Sequence, residues 1–82
     1  MKKSEAKEVI KVCEFIQRER QSKLWHVELI AVSKFYYRVK VSSRDSAYRH
    51  ELNALAMVFD GCGVCCTMVD DDPDEVLSWI FF

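Results

Sequence analysis

The 82 residues hold only two glycines and one proline, and both glycines fall in Gly61-Cys62-Gly63-Val64-Cys65-Cys66. A glycine-rich loop that cradles phosphate therefore has nowhere to form. One Cys-x-x-Cys, at Cys62 and Cys65, stands without a second pair and without a His-x-x-x-His, whereas structural zinc sites typically use two short ligand pairs. Charge of one sign is also missing. Twelve basic and thirteen acidic side chains leave a net charge of −1, and bulk phosphate binding goes with a basic domain. No apolar run approaches the length of a membrane span. Met1-Lys2-Lys3 leads into Ser4-Glu5-Ala6-Lys7-Glu8 rather than into an apolar segment, so no signal peptide is expected. The expected location is the cytoplasm, with the four cysteines reduced.

Catalytic sets are equally scarce. His26 and His50 have no nucleophile or carboxylate at a telling spacing. The expectation is a protein that is not an enzyme and needs no cofactor.

Half of the residues are hydrophobic, enough for a packed core. The length suits a single domain, residues 1–82, one that buries roughly 60–65% of its unfolded surface. Ala6, Val9, Ile10, Cys13 and Ile16 recur at helical spacing. With Ser4 as N-cap and Glu5 and Glu8 in the first turn, this predicts a helix over about 4–20.

The period then changes to two. Trp25, Val27, Leu29 and Ala31 alternate with His26, Glu28, Ile30 and Val32. Tyr37, Val39 and Val41 alternate with Tyr36, Arg38 and Lys40. Two strands are predicted. A three-residue loop, Ser33-Lys34-Phe35, pairs Ala31 with Tyr37, Leu29 with Val39 and Val27 with Val41. That register makes one face apolar and sets Glu28 opposite Lys40, and a slip of one residue destroys it.

Caps in Ser42–Ser46 precede a second helix to about Asp60. Tyr48, Leu52, Leu55, Ala56 and Phe59 form its buried stripe, while Arg49, Glu51 and Asn53 face water. Gly61 stands where a left-handed C-terminal cap is expected. Val64–Val69 reads as a strand, Asp70–Asp74 breaks it, and Val76–Phe82 has strand composition. A competing helix start at Asp72-Pro73-Asp74-Glu75 leaves room for only about two turns.

The order helix-strand-strand-helix-strand-strand predicts an α+β domain with two helices on one face of a four-stranded antiparallel sheet. It resembles a ferredoxin-like arrangement circularly permuted so that its first strand comes last. The strand 76–82 then sits inside the sheet, beside 64–69 and 35–42. Its nearly unbroken apolar character suits that place.

Three groups of residues compete for function. Cys62 and Cys65 could ligate zinc, but Cys62 and Cys65 lying near a turn, with Cys13 and Cys66 as small buried hydrophobes, is the simpler reading. Asp70-Asp71-Asp72-Pro73-Asp74-Glu75 could hold a hard cation but lacks the EF-hand order, so a solvated turn is the simpler reading there too. The sheet face away from the helices carries Ile30, Tyr36, Arg38, Lys40, Ile80 and Phe82. An exposed apolar patch with a basic and aromatic flank calls for a cover. The expected function is thus a small protein-binding domain acting through that face, as a homodimer or as an inhibitor or adaptor of a larger protein. An RNA- or DNA-binding module using the same face and a zinc-stabilised domain are the alternatives. Phe35-Tyr36-Tyr37-Arg38-Val39-Lys40-Val41 lacks the glycine of the RNA-recognition signature.

Overall fold

In the computed structural model the described residues are 1–19, 25–45, 49–69 and 77–82. The expectations for Tyr48, for the acidic turn 70–75 and for Val76 lie outside them. Two helices and four strands follow in the order α1 (Lys3–Glu19), β1 (Trp25–Ala31), β2 (Tyr37–Ser43), α2 (Arg49–Gly61), β3 (Cys66–Val69) and β4 (Leu77–Phe81). The sheet is antiparallel throughout, in the order β1-β2-β4-β3. The last strand is central, and its strand composition prevails over the competing helix start.

The β1–β2 register is the one that alternation dictates. Ala31 pairs with Tyr37, Leu29 with Val39, Val27 with Val41 and Glu28 with Lys40. The N–H groups of Val32 and Ser33 both donate to the Tyr36 carbonyl, closing the loop around Ser33, Lys34 and Phe35. In the second pairing Val39 faces Phe81, Val41 faces Trp79 and Ser43 faces Leu77. Directly opposed residues share a face, so Leu77, Trp79 and Phe81 join Val39 and Val41 on one side.

Both helices cover that side. Ala6, Val9 and Cys13 of α1 and Leu52, Leu55, Ala56 and Phe59 of α2 close one core with Val39, Val41, Leu77 and Phe81. The Phe59 and Phe81 rings meet at 5.0 Å between centroids, tilted by 60°, a geometry that aromatic quadrupoles favour. Leu29 remains 39% exposed, because its strand is at the sheet edge.

The helix ends differ from expectation in instructive ways. The first α1 hydrogen bond runs from Ala6 N–H to the Lys2 carbonyl, and Glu5 Oε1 accepts from Lys2 N–H at 3.3 Å. Lys2 is therefore the cap, Glu5 supplies half of a capping box, and Ser4 lies inside the first turn. At the C-terminus of α2 the left-handed residue is Gly63, with φ at 86°, and Gly61 is still helical. Val64 N–H donates to the Phe59 carbonyl at 2.9 Å and Gly63 N–H to that of Asp60 at 3.0 Å. These are the two bonds of a Schellman cap. Val64 then packs against the core, which is why the strand opens only at Cys66. Asn53 does not simply face water. It is half-buried, and its Oδ1 accepts from Trp79 Nε1 at 3.1 Å. Glu51 is half-buried as well.

Met1 completes the sheet beside β4. Past the Val39–Phe81 pair the next rung would lie opposite Tyr37, and Met1 fills it. Tyr37 N–H donates to the Met1 carbonyl at 2.8 Å, and the Met1 ammonium donates to the Tyr37 carbonyl at 2.9 Å. The line of β4 is thus carried on by the residue that leads into α1. No helix among the described residues is long and apolar enough to cross a membrane.

Candidate functional site

Residues of even number on β1, β2 and β4 point away from the helices, since strand side chains alternate. Ile30 is the direct partner of Arg38, and Lys40 is the direct partner of Ile80. The Arg38 guanidinium lies over the Phe82 ring at 4.8 Å from its centroid and over the Tyr36 ring at 5.9 Å. All six residues expected at a binding face are therefore gathered on one side of the sheet, with Arg38 held between two aromatic rings. Arg38 Nε is shielded from solvent and has no hydrogen-bond partner among the described residues. The Phe82 N–H, donating to the Cys65 carbonyl at 2.9 Å, ties the far ring to β3.

The face is not the bare apolar patch that alternation suggested. Ile30, Ile80 and Phe82 are half-buried, and the guanidinium roofs Phe82. At the far end Ser42 and Ser78 face one another with 5% and 2% of their surface exposed. His26 and Glu28 on the edge strand are exposed. The expected binding surface is therefore an arginine–aromatic cluster flanked by aliphatic side chains.

Tyr36 is exposed, and further large exposed apolar side chains lie off this face. Val12 and Phe15 on α1, Met57 and Val58 on α2 and Phe35 in the β1–β2 loop are among them. Sequence reasoning passed over Val12, Phe15, Met57 and Val58. The signal was present, because these residues fall outside the stripe that each helix buries.

The cysteines divide by position. Cys13 is buried against the sheet, and burial, helped by the Glu14 charge, pushes its thiol up to about 12. Cys66 is half-buried, with its Sγ donating to the Ala56 carbonyl at 3.7 Å. Desolvation, then the Asp60 and Cys65 charges, raise its pKa as well. Cys62 and Cys65 are exposed and free. Among the described residues no three His, Cys, Asp or Glu side chains converge as metal ligands. The low-pKa thiolate that redox chemistry requires is opposite in direction to what Cys13 and Cys66 show.

Comparison of the chain with protein-family models, with curated proteins and with solved structures finds no match.

Proposed function

We propose that this is a small, non-enzymatic binding domain that works by contact with another protein through the sheet face opposite its helices. The observation that carries this reading is Arg38, stacked between Tyr36 and Phe82 with its Nε shielded and unpartnered among the described residues. Arginine and tyrosine are enriched where binding energy concentrates in protein interfaces. A guanidinium held by two rings has already lost most of its rotamer freedom, so less is lost on docking. Ile30 and Ile80 supply adjacent aliphatic surface. A second copy is the simplest partner. The other form of the same idea is an inhibitor or adaptor that caps a larger protein. Base stacking fits less well, because the Tyr36 and Phe82 rings that would receive bases already face the guanidinium. For a zinc-stabilised domain, no third ligand joins Cys62 and Cys65 among the described residues.

The sheet order supports the finer fold reading too. Placed first, β4 gives strand-helix-strand-strand-helix-strand, with first and last strands adjacent. The Met1–Tyr37 bonds continue β4 toward α1, as a permuted ferredoxin-like fold requires.

Sedimentation equilibrium of the wild type and of Ile80→Asp tests the homodimer. The expected result is a dimer for the wild type and a folded monomer for the variant, because a carboxylate opposite Lys40 stays hydrated in the monomer and must be stripped of water on docking. A wild-type monomer at all concentrations removes the homodimer. Equal dimer masses for both proteins remove the face.

A further inference from the structure

The helix side of the molecule carries a second feature, which reaches the sheet face at Phe82. Between α1 and α2 runs a groove with a cavity of about 420 Å³, within the size range of ligand pockets. Val9 and Val12 form one wall, Val58 the other, and Val64 and Phe82 lie in the lining. Val12 is 40% exposed and Val58 58%, so apolar walls stand open to water.

The charged side chains of the lining have one sign, and the Met1 ammonium, which also lies in the lining, is turned to the Tyr37 carbonyl at 2.9 Å. Glu5 and Glu8 border the groove, and among the described residues no lysine or arginine does. This follows from the helix period. Lys3, Lys7 and Lys11 are spaced four apart and form a single row, while Glu5, Glu8 and Val12 form another about a third of a turn away. Glu8 pairs with Lys11 at 3.6 Å, both side chains being exposed, and such pairs contribute little. Its carboxylate is therefore free to exchange partners at small cost.

We infer that this groove is a docking site for a peptide segment of a partner protein in which apolar side chains are flanked by lysine or arginine. The apolar side chains occupy the space between Val12 and Val58, and the cations meet Glu5 and Glu8. This is the mode in which an apolar stripe enters a groove and charge on the rim sets orientation. The site meets the Arg38 face at Phe82 but is walled by the two helices, and it would select the opposite charge.

The test is selection of a random peptide library displayed on phage against the intact protein, with binding of the enriched peptides measured by fluorescence anisotropy. The expected peptides carry apolar residues flanked by lysine or arginine. Val58→Asp should weaken them by about tenfold or more, as hot-spot losses do. Glu5→Lys with Glu8→Lys should weaken them by about tenfold at low salt, with most of the loss gone at high salt. Val58 and both glutamates are at the surface, and circular dichroism of each variant checks that it folds. Acidic enriched peptides, peptides indifferent to Val58→Asp, or failure to enrich any peptide would each overturn the inference. Peptides lost on Arg38→Ala but not on Val58→Asp would transfer binding to the sheet face, and so separate failure of the groove from failure of the function proposed above.

Discussion

Replacing Cys13 by alanine should change how stability depends on pH, more than it changes stability at neutral pH. The thiol is fully buried, and its pKa rises from 9.0 to about 12 because burial penalises the thiolate and Glu14 adds like charge. Below pH 9 the folded and unfolded chains both hold the proton. Above it the unfolded chain releases a proton that the folded chain keeps, and unfolding gains. The stability contributed by the neutral thiol is thus present below the unfolded pKa and declines as pH rises toward the folded one. The slope is about 1.4 kcal/mol for each pH unit between those limits. By about pH 10.5 the wild type should have lost about 2 kcal/mol through this group alone. At pH 7 Cys13→Ala should cost about 1–2 kcal/mol, the effect of a small cavity. The two stability curves should therefore approach one another above pH 9 and meet near about pH 10.5. Urea unfolding of both proteins, followed by circular dichroism across the alkaline range, measures this. Tyrosine and lysine titrate alike in both and cancel in the difference. A constant gap between the curves would refute the placement of Cys13 in the core.

The two glycines should respond in opposite directions, although neither has an atom near the place of a Cβ. Gly61→Ala, at a helical position, should stabilise by about 0.5–1 kcal/mol, whereas Gly63→Ala, at φ 86°, should destabilise by about 1–2 kcal/mol, both read from urea midpoints. Phe81→Ala removes a fully buried ring and its Phe59 partner and should cost about 3–5 kcal/mol, enough to leave a domain of this size largely unfolded near physiological temperature. With Ellman's reagent, Cys62 and Cys65 should react promptly in the native protein and Cys13 only after urea is added. A fast Cys13 would contradict its burial.

Much of the architecture could be read from residue order because local and tertiary preferences agree. Val27, Leu29 and Ala31 face Tyr37, Val39 and Val41 in one register only, and the three-residue loop follows from it. The apolar run at 77–82 has one comfortable place, in the middle of the sheet, and it is there. What was misplaced depended on details that composition does not encode. Gly61 and Gly63 are two residues apart, and only the Phe59 and Asp60 carbonyls decide which is left-handed. Helical spacing sends Asn53 to water, because its partner, Trp79, lies 26 positions away in the chain.

The candidate face was legible as a set of residues but not as a surface. Alternation places Ile30, Arg38, Lys40 and Ile80 together, yet it cannot show that a guanidinium bridges two rings or that Ser42 and Ser78 are buried. The groove between the helices was overlooked for a related reason. A helical stripe identifies what is buried, and Val12 and Val58 matter because they are left out of it.

The central claim is that the side of the sheet away from the helices is the working face. Methyl NMR with a soluble gadolinium chelate measures it most directly, as the broadening of each methyl signal while protein concentration is raised. The account predicts growing protection of the Ile30 and Ile80 methyls and constant broadening of Val12 and Val58. Unchanged broadening of Ile80, with Val58 becoming protected instead, would place self-contact on the helices and contradict it.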